Sequence, residues 1–231
     1  MRRLVLFDID GTLLTTDGAG KRAIRQALLE VYGTTGPIGG YSFSGRTDPE
    51  IVHALLGAGG VPEARITEGL PRLWERYLEY LEQDLADAGV RPLPGVEALI
   101  ERVESAPGPV TLGLLTGNLR EGARIKLEAA GLGFQRFRVG AFGSDHHDRP
   151  ELPAVAVERA RQAIGVDYRG KEVVIVGDTP FDIACGRHLG VRTIAVATGR
   201  HDRAALAEHD PDHLLDDLSD LERAWEAISA E

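Results

Sequence analysis

Short, almost continuous runs of apolar residues alternate along the chain with stretches in which apolar residues recur every three or four positions. Four such runs are residues 4–7, 110–115, 173–176 and 193–196. Runs of this length that end in small or polar residues are typical of strands buried on both faces of a parallel sheet. Because helical periodicity follows them, the pattern predicts a doubly wound α/β fold.

The stretch between the first two runs predicts an inserted helical domain. About a hundred residues lie there, whereas a simple βαβ crossover needs only about 12. Thr47, with Glu50 three positions later, forms a capping box at the start of the second of three helical patterns. The apolar positions of the three are Ile24, Ala27, Leu28 and Val31, then Ile51, Val52, Leu55 and Leu56, then Leu70, Leu73, Trp74, Tyr77, Leu78, Leu81 and Leu85. The aromatic residues in the third pattern favour packing over a cofactor site.

The insert ends at residues 91–95, where two prolines and a glycine forbid a continuous helix. We therefore expect two domains. An α/β core would be formed by residues 1–14 and 93–231, and a helical cap domain by residues 15–92. The two linkers that join them would act as hinges.

Composition excludes several classes of protein. The chain has 231 residues, of which 26 are basic and 36 acidic, so its formal net charge is −10. Since nucleic acids and anionic membranes both attract clustered Lys and Arg, we expect neither as a partner. Asp8 interrupts the first apolar run too early for a signal peptide or membrane span, and the single Cys185 cannot form an internal disulfide. These features predict a soluble, cytoplasmic protein.

Polar residues follow three of the predicted strands at the points where the strands end. They are Asp8, Asp10, Gly11 and Thr12 after the first, Thr116, Gly117 and Asn118 after the second, and Asp178, Thr179 and Asp182 after the third. Because open α/β sheets bind ligands at the carboxyl ends of their strands, we expect these residues to line one site. Asp8, Asp10 and Asp178 form an all-oxygen set that suits Mg²⁺. Asp182 is also placed as the third residue of a helix capped by Thr179.

The sequences around these residues resemble the haloacid dehalogenase superfamily of aspartyl-phosphate phosphatases. The matching motifs are residues 7–14 (FDIDGTLL), 115–118 (LTGN) and 177–182 (GDTPFD). The resemblance runs from residue 3 to about residue 200 in the family's order, and is to the branch of phosphoglycolate phosphatase and β-phosphoglucomutase. It implies a Rossmann-like core with an α-helical cap, a small phosphate ester as substrate and Mg²⁺ as cofactor.

The resemblance also implies a role for each motif residue. Asp8 would attack phosphorus and form an aspartyl-phosphate, while Asp10 would protonate the leaving alkoxide and then activate water. Mg²⁺ would be held by Asp8, the backbone carbonyl of Asp10, Asp178 and, directly or through water, Asp182. The phosphate would be held by Gly11, Thr116, Gly117 and Asn118.

One family feature is missing from its expected place, namely a lysine that ties the nucleophile to the phosphate. Arg149, which precedes a proline, is the predicted catalytic replacement, and His147 is the second candidate. Lys126 falls inside a predicted helix over residues 121–130, and we expect it on the solvated face. His146 and His147 stand beside two aspartates, but an exposed polar loop is favoured over a second metal site.

In the predicted cap, Arg46 lies just before the capping box, where related caps contact substrate. It is predicted to meet a carboxylate or a second phosphate of the substrate when the cap closes, the alternative being an ordinary surface arginine. Substrate choice is expected to depend on this loop and on residues 41–43.

Together these features predict a Mg²⁺-dependent phosphatase that hydrolyses a small phosphorylated metabolite, as phosphoglycolate phosphatase does. A phosphomutase resembling β-phosphoglucomutase, which returns the phosphoryl group to a sugar phosphate, is the alternative. A phospho-accepting receiver module is disfavoured, because receivers are about half this length and lack the helical insert. The sequence does not identify the metabolite, and it leaves both a monomer and a homodimer open.

Overall fold

The fold, given by a computed structural model that describes residues 1–86 and 88–230, is built on a six-stranded parallel sheet. The strands are β1 (Arg3–Phe7), β2 (Val110–Thr116), β3 (Val139–Phe142), β4 (Val173–Gly177), β5 (Arg192–Val196) and β6 (His213–Leu215). Their order in the sheet is β3-β2-β1-β4-β5-β6, and every neighbouring pair is parallel. The predicted α/β fold with a parallel sheet is confirmed, and β1 lies at its centre.

The helices in the described residues are α1 (Ala19–Tyr32), α2 (Asp48–Ala58), α3 (Glu63–Ala86), α4 (Val96–Glu104), α5 (Arg120–Ala129), α6 (Leu152–Ile164), α7 (Pro180–Cys185), α8 (Arg203–Ala207) and α9 (Leu221–Ser229). Helices after α3 cover both faces of the sheet. Side chains of β1 alternate between the faces, as the two-residue period of a strand requires. Val5 and Phe7 pack with α4, α5 and α9, whereas Leu4 and Leu6 pack with α6. This burial on both faces explains why the strand is apolar at every position after Arg3.

The helices α1 to α3 form an apolar core of their own. Tyr77 and Leu81 of α3 are fully buried there, and Trp74 packs against the same cluster. The Thr47 hydroxyl caps α2 by accepting a hydrogen bond from the Glu50 N–H at 3.2 Å. The predicted packing role of the aromatic residues is confirmed, and so is Thr47 as the N-cap. The predicted capping box is only half formed, because the Glu50 carboxylate pairs with Arg46 instead of the Thr47 N–H.

The chain leaves the sheet for these helices and returns from them at adjacent points. Leu14 forms isolated bridges with Asp10 and with Pro92, and the Leu93 N–H donates to the Leu13 carbonyl at 2.9 Å. The two connecting segments therefore run side by side. The boundaries of the core and cap domains at residues 14/15 and 92/93 stay predictions.

The four predicted strands are present, but the sequence reasoning missed β3 and β6. β3 has four residues, one of which is Gly140, and β6 has only three. Such short edge strands lack the continuous apolar run that identifies a central strand. No helix in the described parts of the chain is long and apolar enough to cross a membrane.

Candidate active site

A cavity of about 460 Å³ lies between the carboxyl edge of the sheet and the helices α1 to α3. Its walls combine the ends of β1, β2 and β4 with the start of α1 and the loop before α2. The charged residues that line it are Asp8, Asp10, Asp17, Lys21, Arg46, Asp48, Lys126, Arg149, Asp178 and Arg200. Most of the polar residues that follow three strands line this one cavity, because those strands are neighbours in the order β2-β1-β4. Thr12, Thr179 and Asp182 are buried and do not line it themselves.

Three buried carboxylates meet at the floor of this cavity. Asp8, Asp178 and Asp182 each offer an oxygen, and these oxygens all lie within 4.8 Å of one another. Asp8 follows β1, and its N–H donates to the Val176 carbonyl of β4 at 2.9 Å. Asp178 follows β4 and accepts a hydrogen bond from the Thr12 hydroxyl at 3.1 Å. Two residues of this acidic cluster (Asp8, Asp178, Asp182) are therefore fixed by adjacent strands, and the third lies in α7.

The acidic cluster carries more negative charge than its surroundings neutralise. Burial, together with the neighbouring charges of Asp182 and Asp10, raises the pKa of Asp8 to about 7, although Arg149 lowers it. Burial, with the charges of Asp182 and Asp8, also raises the pKa of Asp178 well above its ordinary value. Three carboxylates that share one point, with one guanidinium beside them, fit a hard divalent cation with oxygen ligands.

Two glycines allow the backbone to approach Asp178 closely. Gly11 has a φ of +86°, and a Cβ there would lie 2.5 Å from Asp178 Oδ2. A Cβ on Gly199 would lie only 1.7 Å from the same oxygen. The Thr198 hydroxyl donates to the Gly11 carbonyl at 2.5 Å and so joins the two loops. Neither glycine can be replaced without moving the Asp178 carboxylate.

Asp182 takes part both in the acidic cluster and in the start of α7. Its Oδ2 atom accepts hydrogen bonds from the Thr179 N–H at 3.0 Å and the Thr179 hydroxyl at 2.6 Å. Thr179 is the N-cap, and Pro180 opens the helix. The predicted capping position of Asp182 is confirmed, and its other oxygen, Oδ1, accepts a hydrogen bond from Arg149.

Arg149 is buried, with 3% of its surface exposed, and it reaches the acidic cluster. Its Nη2 atom donates to Asp182 Oδ1 and lies 3.4 Å from Asp8 Oδ1. The Nε atom is buried, and among residues 1–86 and 88–230 it has no hydrogen-bond partner. His147, the second candidate for this position, is exposed, and its ring stacks on His146 with centroids 4.9 Å apart.

The Asp10 carboxylate lies apart from the acidic cluster and is held by a different set of residues. Its Oδ2 atom accepts hydrogen bonds from Asn118 Nδ2 at 2.8 Å and from Lys126 Nζ at 2.6 Å. Asn118 Nδ2 also donates to the Thr116 hydroxyl at 2.7 Å, and Asn118 Oδ1 accepts from Lys126 at 2.6 Å. The predicted residues Asp10, Thr116 and Asn118 are thus connected by hydrogen bonds.

The expectation that Lys126 lies on a solvated helix face is wrong. Only 3% of the residue is exposed, and its ammonium group is paired with Asp10. The reason is that α5 packs against α3, since a Cβ on Gly122, one turn before Lys126, would lie 3.6 Å from both Tyr77 and Leu81. Small residues at 122 and 123 were the available signal, since they mark a packed face that continues to Lys126.

A second missed residue is Asp48, at the first position of α2. It is buried, its Oδ2 atom accepts from the Leu119 N–H at 2.8 Å, and its own N–H donates to the Gly117 carbonyl at 2.7 Å. Burial raises the pKa of Asp48 to about 6, although Lys126 lowers it. Asp48 therefore ties the start of α2 to the loop after β2. Nothing in the sequence distinguishes it from an ordinary first-turn acidic residue.

Gly117 and Arg46 meet where α2 approaches that same loop. A Cβ on Gly117 would lie 2.1 Å from the Arg46 carbonyl oxygen, so only glycine permits the contact. The Arg46 guanidinium lines the cavity, pairs with Glu50, and lies 5.5 Å from the centre of the Phe181 ring. Arg46 is thus part of the cavity wall, and its partner there is a carboxylate of α2, while its predicted contact with substrate stays a prediction.

Residues 5–196 match the family model described as haloacid dehalogenase-like hydrolase. The chain belongs to this family. Among curated relatives, the pyrophosphatase PpaX of Oceanobacillus iheyensis is 23% identical over 95% of this chain and 94% of its own. The phosphoglycolate phosphatase of Synechococcus elongatus is 29% identical over 64% of this chain and 67% of its own. A hydrolase from Pseudomonas syringae superposes with a TM-score of 0.74 at 19% identity, covering 100% of both chains.

The predicted family is confirmed by these matches, and with it the expectation of a hydrolase. The relatives named as phosphatases support a phosphatase. The structural likeness confirms the Rossmann-like α/β fold of the family over the whole chain.

Proposed function

We propose that this member of the haloacid dehalogenase-like hydrolases is a Mg²⁺-dependent phosphatase that acts through an aspartyl-phosphate formed on Asp8. The observation that carries the proposal is the arrangement of four carboxylates at one end of the cavity. Asp8, Asp178 and Asp182 share one point, while Asp10 stands apart in the hydrogen-bond network of Asn118. This separation supplies a cation-binding group and a distinct proton-exchanging group.

Asp8 is the nucleophile in this proposal. An oxygen lone pair of Asp8 forms a bond to phosphorus, and the bonding pair of the ester leaves with the alkoxide oxygen. Arg149, 3.4 Å from Asp8 Oδ1, holds the carboxylate in place and offsets the charge that accumulates when a phosphate dianion approaches it. Such repulsion between two anions is the main obstacle to attack by a carboxylate.

Asp8, Asp178 and Asp182, with the backbone carbonyl of Asp10, would hold the divalent cation. When bound, Mg²⁺ supplies charge neutralisation for the phosphate and for the acidic cluster. Its preference for carboxylate, carbonyl and phosphate oxygens favours Mg²⁺ over Zn²⁺ at this set of residues.

Asp10 exchanges the protons. Its carboxyl group donates a proton to the leaving alkoxide oxygen and, as a carboxylate, then takes a proton from the water that attacks phosphorus of the aspartyl-phosphate. Gly11, Thr116, Gly117 and Asn118 hold the phosphate oxygens during these steps. The Thr116 hydroxyl accepts a hydrogen bond from Asn118 Nδ2, which leaves the hydroxyl proton free to be donated to phosphate.

The substrate class is a small phosphorylated metabolite. A cavity of about 460 Å³ admits a small ester better than a polymer end. The guanidinium of Arg46 in its wall favours a substrate with a second anionic group, such as the carboxylate of phosphoglycolate. The relative named as a phosphoglycolate phosphatase supports the same choice.

The test is phosphate release from p-nitrophenyl phosphate and from a panel of metabolites, including phosphoglycolate, pyrophosphate and hexose phosphates, with Mg²⁺ present. Asp8→Asn should abolish phosphate release, and EDTA should abolish phosphate release by the wild type. Borohydride reduction during turnover should label Asp8 in the wild type only. Asp84 of α3, which pairs with Arg22 away from the cavity, provides the control, since Asp84→Asn should behave as wild type. Retention of most activity by Asp8→Asn contradicts the assignment of the nucleophile.

The same panel separates a phosphatase from a phosphomutase. A phosphatase converts a hexose phosphate to free hexose and inorganic phosphate in equal amounts. A mutase returns an isomeric sugar phosphate and releases little phosphate. That result would exclude the phosphatase and favour the mutase, with Asp8 still as the phosphorylated residue.

A further inference from the structure

Lys126 is one of three lysines in the chain and lies midway along α5, beneath the cavity. Its ammonium group is buried, with 4% of the side chain exposed, and lies 2.6 Å from Asp10 Oδ2 and 2.6 Å from Asn118 Oδ1. Full burial of a lysine is costly unless the charge is paired and hydrogen-bonded. Here both conditions are met by residues that line the cavity, which indicates a function in the site.

The Asp10 side chain needs external support to keep one orientation. It follows the end of β1, and 41% of it is exposed. Both hydrogen bonds to its carboxyl group, from Lys126 and Asn118, go to the Oδ2 atom. Within the described residues 1–86 and 88–230, no hydrogen bond reaches Oδ1. Two donors on one oxygen restrict rotation of the carboxyl group and leave the other oxygen as the one that carries an exchangeable proton.

Lys126 also determines the orientation of the Asn118 amide. Because the ammonium group can only donate, the atom of Asn118 that faces it must be the carbonyl oxygen. The amide nitrogen then faces Asp10 Oδ2 and the Thr116 hydroxyl, to which it donates at 2.8 and 2.7 Å. Without the lysine, the amide has no charged partner that fixes which of its ends points toward Asp10.

We propose that Lys126 is a positioning residue that holds the Asp10 carboxyl group, directly and through Asn118, with Oδ1 directed to the leaving oxygen and the attacking water. This inference rests on the proposed function, since it gives Lys126 a role in the proton transfers of Asp10. In the first transfer the P–O bonding pair leaves with the ester oxygen, which takes the proton of Asp10. In the second, the water oxygen bonds to phosphorus while Asp10 takes a proton from the water, and the bond between phosphorus and Asp8 breaks with its electron pair returning to the Asp8 carboxylate.

The test compares two esters that differ in their need for a proton. An alkyl ester, phosphoglycolate or the best substrate of the panel, has a poor leaving group, whereas 2,4-dinitrophenyl phosphate releases a phenolate that needs none. The value of kcat/KM reports the steps up to aspartyl-phosphate formation. In Lys126→Met we expect kcat/KM to fall about 100-fold for the alkyl ester, within the range that general acid catalysis contributes, and less than about threefold for the dinitrophenyl ester.

Two further readouts distinguish positioning from a structural role. The turnover number kcat should fall for both esters, because the water step also uses Asp10, and a burst of dinitrophenolate should precede slow turnover. Lys126→Arg keeps a cation that can donate to both oxygens, and should recover the alkyl activity to within about tenfold of wild type. Lys171→Met removes an exposed lysine that pairs with Asp212, and should leave both esters unchanged.

The ratio of the two kcat/KM values in one preparation does not depend on the folded fraction, so a destabilised Lys126→Met or Lys126→Gln protein still gives an answer. An equal fall for both esters overturns the proposal and assigns Lys126 a structural role. Unchanged kcat/KM values for both esters also overturn the proposal. So does an increase in KM alone for substrates with a second anionic group, because that result assigns Lys126 to substrate binding. Two other results refute the proposed function itself: the wild type releases no phosphate, or Asp8→Asn releases as much as the wild type. Both are separate from the ratio of the two esters.

Discussion

Arg149 and Asp182 form a buried ion pair beside Asp8, with 3% and 2% of their side chains exposed. The pair joins the segment before α6 to the start of α7, and the same guanidinium lies 3.4 Å from Asp8. A lone cation among three carboxylates has a large effect on the charge of the cluster. The pair therefore links the stability of the metal-free protein to the state of its active site.

Replacement of Arg149 should destabilise the fold as well as stop the reaction. Arg149→Met leaves Asp182 and Asp8 buried without their cation, and loss of one partner of a buried pair costs about 3–5 kcal/mol of unfolding free energy. Urea denaturation in EDTA measures this change, and added Mg²⁺ should restore part of it. Arg203→Met, which breaks an exposed pair with Asp216, should cost less than about 1 kcal/mol. Equal costs for the two variants contradict this account of the cluster.

Mg²⁺ should stabilise the protein through the acidic cluster. A ligand that binds only the folded state at 100 times its Kd adds about 2.7 kcal/mol, seen as a rise in Tm. Asp178→Asn should abolish the rise and, because it removes a buried carboxyl group with a raised pKa, should increase Tm in EDTA. Asp10→Asn should keep the Mg²⁺-dependent rise while losing turnover, since its side chain lies outside the cluster. A Tm rise that survives in Asp178→Asn places the metal elsewhere.

Gly199 should be intolerant of even a methyl group. In Gly199→Ala the new Cβ would lie 1.7 Å from Asp178 Oδ2, so the carboxylate or the loop must move. We expect a loss of Mg²⁺ affinity of at least about tenfold, measured by titrating the Tm shift. A methyl group on Gly57 of α2, by contrast, would have nothing within 4 Å of it. Gly57→Ala should keep the affinity and raise stability by up to about 1 kcal/mol.

Asp48 should make stability depend on pH between about 4 and 6. Its pKa is raised to about 6 in the fold from an ordinary value of 3.8. The folded state therefore holds the proton more tightly, so the contribution of Asp48 is fully present below pH 3.8 and is lost as pH rises through 6. Asp48→Asn should stabilise the protein relative to wild type by at most about 3 kcal/mol at pH 7, and little at pH 4. Urea denaturation at both pH values checks this, with Asp84→Asn as the matched control for removal of a carboxylate outside the site.

The sequence predicted the parts of the fold that depend on local pattern. The run at residues 4–7 identified β1 because a central parallel strand is apolar on both faces, and Thr47 identified the start of α2 because its hydroxyl caps the helix. The edge strands β3 and β6 were not found, since pairing along one side requires little apolar sequence. Each is a strand because it pairs with a neighbour that is not adjacent to it in the chain, β2 for β3 and β5 for β6.

In the candidate site, too, the residues identified by local sequence pattern were predicted and those that depend on long-range packing were not. Asp8, Asp10 and Asp178 could be predicted because each follows a strand that the sequence identifies. Lys126 and Asp48 were not predicted, because each lies on a helix whose exposed or buried face is decided by the packing of α3 on α5 and of α2 on the loop after β2. Long-range packing reverses the expectation that a charged residue within a helix faces water.

The paired junction at Leu14 and Pro92 has an evolutionary consequence. Since the outgoing and returning segments are neighbours, the intervening helices can be lengthened, exchanged or removed without opening the sheet, as an insertion between two adjacent ends tolerates change. A chimera that carries a different helical module between these two positions should therefore fold, and its preference among phosphate esters should follow the module it received.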